Sequence, residues 1–330
     1  MKFRSKRLLI TGGCGFIGSN FIEYLLNKYN DLIIYNIDSL TYAGKIINTE
    51  RFKENNRYNF LHGNICDYDF IYHTFNRYSI DGVINFAAES HVDRSIKSPR
   101  VFIESNINGV FNLLNIAYKS WMNNPFEYKN EFNDARFHQI STDEVYGSTL
   151  VGSFSEESKY SPNSPYSASK ASADMLVRSF NKTYGLNTTI SISSNNYGDN
   201  QDLEKFIPTI ITSLNNNTPI PLYGDGLNIR DWIHVSDNCS AIEKIFNQSE
   251  TGKTYNVGAK NEITNYDLIE MIYLIMRKYK KVSKQIEYIS DRAGHDRRYS
   301  ICTKKINKDL DWKPLIDFKK GLKEYIVSQI

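Results

Sequence analysis

Short apolar runs alternate with longer amphipathic stretches through the first half of the chain. The first run, residues 8–10, leads into a glycine-rich turn and then a helical pattern from Phe16 to about Tyr29. The later runs are separated by enough residues for crossover helices, and they are residues 32–37, 58–61, 83–86, 137–140 and 188–192. Six strands that alternate with helices are typical of a doubly wound parallel sheet of the α/β class.

The alternation becomes irregular after Asn195. Prolines and glycines interrupt short runs there, and helical periodicity returns near residues 265–279 and 318–327. We therefore predict a larger sheet domain over residues 1–190, with a returning segment at about 229–257, and a smaller α/β lobe formed mainly by residues 191–330. No Pro/Ser-rich linker divides the chain, so we expect the two parts to interleave.

Composition restricts the classes of function. The 330 residues carry 40 Lys and Arg against 37 Asp and Glu, and this balance of +3 excludes a strongly basic nucleic-acid binder. The four cysteines have no C-x-x-C spacing, so we predict no metal site and expect reduced, buried thiols. No apolar run approaches the roughly 18 residues of a membrane span, and the first run is too short for a signal peptide. We therefore expect a cytoplasmic protein with no membrane or nucleic-acid partner.

A glycine loop opens the first helix. In RLLITGGCGFIGSNF, Gly12, Gly15 and Gly18 stand between the first strand and the first helix. The first glycine permits a tight turn, the second lets the backbone approach a pyrophosphate, and the third allows close packing of the helix on the strand. Asp38 ends the second apolar run, where a carboxylate accepts hydrogen bonds from both ribose hydroxyls and repels a 2′-phosphate. The loop therefore predicts a Rossmann-type domain that binds NAD rather than NADP.

The G-x-x-G-x-x-G spacing of this loop resembles the short-chain dehydrogenase/reductase superfamily, and a tyrosine–lysine pair follows downstream. Tyr166 and Lys170 lie four residues apart in a helical pattern, so both side chains share one face. Tyr24 and Lys28 have the same spacing, but Tyr166 follows the fifth strand closely enough to reach the carboxyl edge of the sheet. An ammonium group about 4 Å away contributes about 4 kcal/mol toward phenolate formation. We therefore predict that Lys170 lowers the pKa of Tyr166 and that this tyrosine acts as a base.

Two acidic residues follow the fifth strand. In STDEVYG, Thr142 is placed to hold a substrate hydroxyl, and Asp143 and Glu144 come directly after it. In isolation the two acids are best explained as a charged turn in which Asp143 caps a short helix. Beside the glycine loop, the tyrosine and the lysine, we interpret them as an acid and a base, because a dehydration needs both and a simple oxidation needs neither.

A longer series of motifs resembles the dTDP-glucose 4,6-dehydratases, a family of the extended short-chain superfamily. The motifs run in order from about residue 7 to residue 312, and they are TGGCGFIGSNF, FAAESHVDRSI, STDEVYG, SPYSASKAS, SNNYG, YGDG with IRDWIHV, YNVG and DRAGHDRRY. Together they are far more specific than any one of them. The resemblance implies conversion of dTDP-glucose to its 4-keto-6-deoxy derivative and water, with an NAD that is reduced and reoxidised within one turnover.

The resemblance also implies a role for each catalytic residue. Tyr166 would remove the proton of the 4-hydroxyl, while Lys170 tunes that tyrosine and binds the nicotinamide ribose. Glu144 would remove the proton from carbon 5, and Asp143 would protonate the hydroxyl that leaves carbon 6. Thr142 would contact the sugar.

Binding residues are implied by the same motifs. Those for NAD are Gly12, Gly15, Phe16, Ile17, Gly18, Asp38, Thr41, Asn64, Ile65, Phe86, Ala87, Ala88, Ser105, Tyr166 and Lys170. Those for the nucleotide sugar are Ser90, Thr142, Asn195, Lys205, Phe206, Pro221, Tyr223, Arg230, Asn265, Arg292 and His295. A homodimer is implied as well, through the stretches 101–121 and 167–184. Seven residues there suit a dimer interface and a monomer core equally: Phe102, Asn106, Leu113, Ala117, Ala171, Met175 and Val177.

Four positions depart from the family pattern. Asn64 stands where the family usually has an acidic residue, Ser105 replaces a threonine near the nicotinamide, and Ala293 replaces a proline. Residues 199–203, Asp-Asn-Gln-Asp-Leu, replace a proline-containing segment beside the substrate pocket. This loop leaves the nucleotide carrier open, so UDP-glucose stays an alternative to dTDP-glucose.

Two other functions share part of the pattern. A NAD-dependent nucleotide-sugar 4-epimerase would keep the glycine loop, Tyr166 and Lys170, but the adjacent Asp143 and Glu144 argue against it. A non-catalytic NAD-binding regulator would keep the fold, and the intact set of catalytic residue types argues against that alternative.

Overall fold

A seven-stranded parallel sheet forms the centre of the computed structural model, which describes residues 3–330. The strands of this part of the chain are β1 Arg7–Thr11, β2 Ile33–Asp38, β3 Tyr58–His62, β4 Gly82–Asn85, β5 Met122–Asn124, β6 Glu127–Tyr128, β7 Arg136–Thr142, β8 Thr188–Ser193, β9 Asn195–Tyr197, β10 Ile220–Tyr223, β11 Ile229–His234, β12 Thr254–Val257, β13 Glu262–Thr264 and β14 Ile286–Ile289. The central sheet has the order β12-β8-β7-β4-β1-β2-β3, with every neighbouring pair parallel. The order reverses between β1 and β4, which confirms the predicted doubly wound α/β fold.

All six predicted strands belong to this sheet, and their ends differ from the predictions by at most two residues. The seventh strand, β12 at one edge of the sheet, was not predicted. Its sequence is Thr-Tyr-Asn-Val, so polar and apolar residues alternate over only four positions and no continuous apolar run marks it. Asn256 is accommodated because its side chain donates a hydrogen bond to the carbonyl oxygen of Phe154 (3.0 Å).

Helices connect the strands. Among the described residues they are α1 Phe16–Lys28, α2 Tyr68–Tyr78, α3 Val92–Lys97, α4 Pro99–Ile103, α5 Gly109–Trp121, α6 Pro165–Tyr184, α7 Phe206–Asn216, α8 Val235–Gln248, α9 Asn265–Met276, α10 Lys304–Leu310 and α11 Phe318–Ser328. Shorter helical turns are the 3₁₀ segments Ile46–Phe52, Asn130–Phe132 and Asp143–Tyr146 and the π-helical segment Glu104–Asn108. The helices predicted near 265–279 and 318–327 are confirmed as α9 and α11. Over residues 3–330, no helix has the length and apolar character needed to cross a membrane.

Helices cover both faces of the central sheet. The helices α2, α5 and α6 pack on one face, and α1 and α8 pack on the other. Leu8, Leu9 and Ile10 of β1 are therefore fully buried, which explains why this strand is a continuous apolar run. Each such side chain stabilises the fold by about 1.5–3 kcal/mol. The packed core holds the carboxyl ends of the strands in fixed positions.

A smaller lobe is built mainly from the chain after β8. It contains the strand pair β10–β14, the three-stranded sheet β13-β11-β9 and an apolar core shared by α7, α9 and α11. Within residues 229–257, β11 belongs to the three-stranded sheet, whereas α8 packs against α1 and β12 pairs with β8. The chain thus passes from the lobe back to the central sheet over this segment.

The residues considered for a dimer interface fall mostly inside the chain's own core. Six of them are buried, and they are Phe102, Asn106, Leu113, Ala117, Ala171 and Val177. Met175 is 57% exposed. Ile103 on α4 and Phe111 on α5 are also exposed. Apart from Met175, the exposed apolar side chains on the outer face of α4, α5 and α6 are therefore not the ones that were considered for the interface from the sequence.

Candidate active site

A cleft of about 880 Å³ opens at the carboxyl edge of the central sheet. It lies where the strand order reverses, which is the usual ligand site of a doubly wound sheet. Every cofactor, substrate and catalytic residue predicted from the sequence lines this one cleft, from Gly12 to His295. The fold therefore brings together side chains from both parts of the chain.

The glycine loop shapes the part of the cleft next to β1. Gly12 has φ +71°, and a Cβ atom there would lie 2.6 Å from the backbone nitrogen of Ala87. Gly15 caps α1 without a side chain, and the first turn of α1 lines the cleft with no acidic residue in it. The unpaired amides and the positive end of a helix dipole bind phosphate groups. The loop therefore fits the pyrophosphate of a dinucleotide.

Asp38 ends β2 on the same side of the cleft. Its carboxylate accepts hydrogen bonds from the backbone N–H groups of Leu40 (2.8 Å) and Cys14 (2.9 Å). Burial raises the pKa of Asp38, and these hydrogen bonds lower it. An ionised carboxylate offers about four acceptor positions, so both oxygens can still accept a ribose hydroxyl. This environment fits the ribose of NAD and disfavours an additional phosphate there.

Asp143 and Glu144 begin the 3₁₀ turn that follows β7. Thr142 caps this turn, and its hydroxyl donates to Oδ1 of Asp143 at 3.4 Å. Asp143 is 3% exposed, and its Oδ2 has no hydrogen-bond partner within residues 3–330. A buried carboxyl oxygen left without a partner is rare in a purely structural position. The geometry therefore favours a chemical role for this turn.

The two carboxyl groups have different electrostatic surroundings. Burial raises the pKa of Asp143 well above its usual value, Glu144 and Asp231 raise it further, and Arg230 offsets part of the effect. Burial also raises the pKa of Glu144, but three nearby cations, with Arg230 foremost, lower it. Asp143 therefore favours its protonated form, whereas Glu144 carries a negative charge more readily.

Tyr166 and Lys170 lie near the start of α6, where Ser164 and Ser167 form a capping box. Their exposed fractions are 9% and 5%. The ammonium group of Lys170 donates a hydrogen bond to the carbonyl oxygen of Ile140 at 2.6 Å. Burial lowers the pKa of Lys170 to about 8. The lysine therefore titrates close to neutral pH.

The pKa of Tyr166 differs from the sequence-based expectation. Burial, followed by the charge of Glu144, raises this pKa well above its usual value, and a hydrogen bond with Thr142 opposes the rise. The ammonium group of Lys170 donates to the Ile140 carbonyl oxygen, and among the described residues no hydrogen bond joins it to the phenol. Phenolate formation therefore needs a further positive charge in the cleft, which the nicotinamide ring of oxidised NAD carries when bound.

Basic side chains line the part of the cleft that the smaller lobe contributes, and they are Lys205, Arg230, Arg292 and His295. Arg230 donates to the carbonyl oxygen of Asp296 (2.9 Å), and its guanidinium lies 4.1 Å from the ring centroid of Tyr299. Nε of Arg292 is buried and makes no hydrogen bond to any described residue. Guanidinium and ammonium groups of this kind bind diphosphates.

Three of the four departures from the family pattern also lie at the cleft. Asn64 accepts a hydrogen bond from the backbone N–H of Cys66 through its side-chain oxygen (2.9 Å), which leaves its amide nitrogen for a ligand. Ser105 lines the cleft from the π-helical segment. Nothing in the structure explains the change at Ala293.

Residues 199–203, which we name the bridging loop, connect the smaller lobe with the sheet domain. Asp202 forms an ion pair with Lys45 (2.8 Å). The side chain of Asn200 donates to the hydroxyl of Ser19 (3.0 Å), and the side chain of Asn20 donates to the carbonyl oxygen of residue 199 (2.7 Å). These contacts were not predicted, because they join residues that are far apart in the chain.

Ionisable residues that follow β4 were also missed from the sequence. In the motif FAAESHVDRSI, only uncharged residues were predicted to be part of the site. Glu89, His91 and Asp93 line the cleft, and Asp93 accepts a hydrogen bond from the hydroxyl of Tyr223 (3.2 Å). Their position directly after a parallel strand is the sequence feature that indicates them, since all such strands end at this edge.

Known proteins resemble this chain over almost its whole length. A family model described as GDP-mannose 4,6 dehydratase matches residues 9–325. The dTDP-glucose 4,6-dehydratase of Salmonella typhimurium is 44% identical over 334 residues, which cover 97% of this chain and 91% of the relative. The crystal structure of DesIV, a dTDP-glucose 4,6-dehydratase from Streptomyces venezuelae with NAD and dTDP bound, has a TM-score of 0.89 at 38% identity and covers 97% of this chain and 96% of that one. The NAD complex of the Bacillus anthracis dTDP-glucose 4,6-dehydratase has a TM-score of 0.86 at 41% identity, with coverages of 97% and 95%.

Proposed function

Because the chain belongs to the GDP-mannose 4,6-dehydratase family, we propose that it is a NAD-dependent hydro-lyase that converts dTDP-glucose to dTDP-4-keto-6-deoxyglucose and water. Curated relatives with 41–44% identity over 97% of the chain bear the name dTDP-glucose 4,6-dehydratase. The observation that carries the proposal is the pair of adjacent carboxyl groups with different electrostatic surroundings, Asp143 and Glu144, at one cleft with Tyr166.

NAD fits the cleft through the glycine loop and Asp38. The chemistry supplied by the bound cofactor is a hydride acceptor for an oxidation at carbon 4 and a hydride donor for a later reduction at carbon 6. The chain's own residues bind and orient the two molecules and move the protons. The tyrosine and the lysine would lie at the nicotinamide end of this cleft, and Asp38 at the ribose of the adenosine.

Tyr166 accepts the proton of the sugar's 4-hydroxyl in the first step. Thr142 lowers the pKa of this tyrosine, and the half-buried threonine lines the cleft where its hydroxyl can orient the same sugar hydroxyl. Burial lowers the pKa of Lys170 to about 8, and the positive charge of its protonated form favours the phenolate that accepts this proton.

Glu144 and Asp143 carry the elimination. A ketone at carbon 4 makes the carbon-5 proton acidic, and Glu144, which nearby cations keep able to ionise, removes it. Asp143 favours its protonated form and donates that proton to the hydroxyl leaving carbon 6. Environments that separate the pKa values of two acids in this way assign one as acid and the other as base. A 4-epimerase needs neither transfer, so the pair favours dehydration.

The nucleotide is bound by the smaller lobe in this proposal. Lys205, Arg230 and Arg292 offer positive charge to the diphosphate, and Phe206 and Tyr223 offer aromatic faces to the base. The dTDP and UDP carriers differ by a methyl group and one ribose hydroxyl. A pocket distinguishes such ligands by about tenfold or more when it contacts the differing group.

Side-by-side assays of the purified protein with dTDP-glucose and UDP-glucose test the function. We expect a 4-keto-6-deoxy product, with deuterium from heavy water at carbon 5, and a kcat/KM about tenfold or more higher for the dTDP sugar. Cofactor released by denaturing the protein should be NAD or NADH. A 4-epimer as the product, an unconverted dTDP sugar or released NADP would each contradict the proposal.

We further propose a homodimer that forms through the outer faces of α4, α5 and α6. Ile103, Phe111 and Met175 lie on these neighbouring helices and are 51%, 45% and 57% exposed. Exposed apolar side chains on adjacent helices are typical of protein interfaces. A cytoplasmic location is part of this proposal, because the chain's free cysteines suit a reducing compartment.

A further inference from the structure

Asp174 is fully buried on α6, one helical turn beyond Lys170. One of its oxygens, Oδ2, accepts hydrogen bonds from the hydroxyls of Ser141 (2.6 Å) and Tyr160 (3.0 Å). The other, Oδ1, has no hydrogen-bond partner among residues 3–330. Burial of a carboxylate is unfavourable unless a nearby charge compensates it. The proton transfers described above do not involve this residue.

Lys170 and Arg178, each one turn away on α6, are the cations that lower the pKa of this carboxylate, and neither forms a direct ion pair with it among the described residues. Side chains four residues apart on a helix share one face, with Cβ atoms about 5–6 Å apart. Burial lowers the pKa of Lys170 to about 8, and Asp174 opposes that effect. Burial likewise raises the pKa of Asp174 to about 6, with Ser141 and Lys170 opposing it. Each group therefore favours the charged form of the other.

Other titratable groups also face this carboxylate. Arg178 follows one turn later on the same helix and donates to the hydroxyl of Tyr160 (2.9 Å). Tyr160 precedes the helix, and Tyr146 belongs to the 3₁₀ turn after β7; burial raises the pKa of both phenols, so they stay neutral. From β7, the contact is the uncharged hydroxyl of Ser141. Arg178 stabilises the negative charge of Asp174. It lies one helical turn after Asp174, whereas Lys170 lies one turn before it.

We propose that Asp174 is the counter-ion that keeps Lys170 protonated at the base of the cleft. Its hydrogen bond with Ser141 also ties this charge pair to the end of β7, from which Thr142 and the two acids follow. Asp174 is a positioning residue, because it acts through Lys170 and Ser141 and lies behind the residues that line the cleft. The inference rests on the proposed function only where turnover is the readout.

The pH profile of turnover tests the role. Asp174→Asn keeps the size of the side chain and an acceptor for Ser141 but removes the charge. Lys170 then loses its proton at lower pH, so the alkaline limb of kcat should move toward acid by about 1–2 pH units. Ser141→Ala removes the shortest hydrogen bond but keeps the charge, and its alkaline limb should stay in place. An unmoved limb in Asp174→Asn, or an equal shift in Ser141→Ala, overturns the proposal.

A second measurement needs no turnover. Competitive labelling with a trace of acetic anhydride, followed by mass spectrometry of the peptide that contains Lys170, gives the midpoint pH at which this amine becomes reactive. In Asp174→Asn the midpoint should fall by about 1–2 pH units. An unchanged midpoint overturns the counter-ion role. Failure of the proposed function would instead appear as wild-type protein that forms no keto product.

The reciprocal variant covers the case in which Asp174→Asn does not fold, as judged by thermal unfolding. Lys170→Met removes a buried charge and keeps a side chain of similar shape, so the fold should persist. Without the cation, the pKa of Asp174 should rise above its value of about 6. Infrared spectra of protein carrying isotopically labelled aspartate report this pKa through the stretch of the protonated carboxyl group. A carboxyl pKa equal to that measured in the wild-type protein contradicts the pairing.

Discussion

Two tyrosine–lysine pairs with the same spacing have different surroundings in the folded chain. On α1, the ammonium of Lys28 donates to the hydroxyl of Tyr24 (3.0 Å) and pairs with Glu243 (3.0 Å). On α6, Tyr166 and Lys170 line the cleft. Spacing therefore fixes which side chains share a helix face, and the position of the helix at the sheet decides whether that face can do chemistry.

Replacement of Tyr166 by Phe tests the base directly. The protein should fold and retain NAD, because one hydroxyl is lost from a packed ring, while turnover falls at least about a hundredfold. The matched control is Tyr24→Phe, which should leave turnover nearly unchanged. Product formation is measured by the absorbance of the keto sugar in alkali. Substantial turnover in Tyr166→Phe would show that another group accepts the proton.

Replacement of Asp143 by Asn separates the elimination from the first oxidation. The acid for the departing hydroxyl is lost, whereas Tyr166 and Thr142 remain. The bound cofactor should therefore accumulate in its reduced form, which is seen as absorbance at about 340 nm when dTDP-glucose is added. Normal turnover in this variant would contradict the role of Asp143.

Replacement of Glu144 by Gln should act at carbon 5. Exchange of the carbon-5 hydrogen with heavy water should fall at least about a hundredfold, while oxidation at carbon 4 remains possible. Mass spectrometry of the recovered sugar measures the exchange. Deuterium that still enters carbon 5 at the wild-type rate, or loss of cofactor binding alone, would favour the epimerase alternative.

At this scale, the sequence predicts residue types better than their ionisation. The glycines and Asp38 are predictable because they follow from local backbone geometry at a strand–helix turn. The raised pKa of Tyr166 is not, because it depends on burial and on Glu144, which comes from another element. The contact between Asp174 and Ser141 was missed for the same reason, since it joins α6 to β7.

At the scale of elements, the bridging loop connects the two sides of the cleft. Asp202 is 13% exposed on its side chain and pairs with Lys45, whose backbone N–H is in turn bonded to the carbonyl oxygen of Cys14 in the glycine loop. Asp202 also lines the cleft. The loop is therefore placed to slow the departure of a dinucleotide held by the glycine loop.

Lys45→Ala should accelerate NAD release. The ion pair is partly exposed, so its loss should increase the dissociation rate by about two- to fivefold, with a smaller difference at high salt. The rate can be measured as the loss of protein-bound NAD during dilution and rapid gel filtration. Lys53→Ala is the control, because Lys53 pairs with Glu50 on the surface nearby (2.6 Å) and not with the loop. Equal rates in the two variants would remove the loop from cofactor retention.

The limits of prediction from periodicity are also visible at this scale. Buried strands such as β1 are predictable because they are continuous apolar runs. The edge strand β12 is not, since polar residues interrupt it and Asn256 is satisfied only by partners from other segments. Resemblance to a family identified its motif, YNVG, without identifying it as a strand of the central sheet.

At the scale of the whole molecule, the chain passes between its two parts more than once. A small apolar cluster joins β11, α8 and β12 along the return to the central sheet, next to the separate cores of that sheet and the smaller lobe. The missing linker predicted interleaving, and the sequence predicted a return at about residues 229–257. The sheet that each short strand of this segment joins was not predicted, because it depends on partners far away in the chain. A cleft built by both parts follows from this topology.

The proposed dimer is the remaining property of the whole molecule, and the surface of α4, α5 and α6 makes it testable. Burial of Ile103, Phe111 and Met175 against a second copy would remove three large apolar side chains from water, each worth about 1.5–3 kcal/mol if fully buried. Sedimentation at micromolar concentration should therefore give about twice the chain mass of 38.2 kDa.

The same experiment on variants locates the interface. Phe111→Glu or Met175→Glu should reduce the mass to 38.2 kDa, because a carboxylate would be forced into an apolar contact. Val151→Glu changes a side chain that is 88% exposed on a different surface, so the dimer should persist in this control. Wild-type protein that sediments at 38.2 kDa would contradict the dimer. A dimer that survives both helix variants would instead place the interface on another face of the molecule, since neither helix position could then be buried between the two copies.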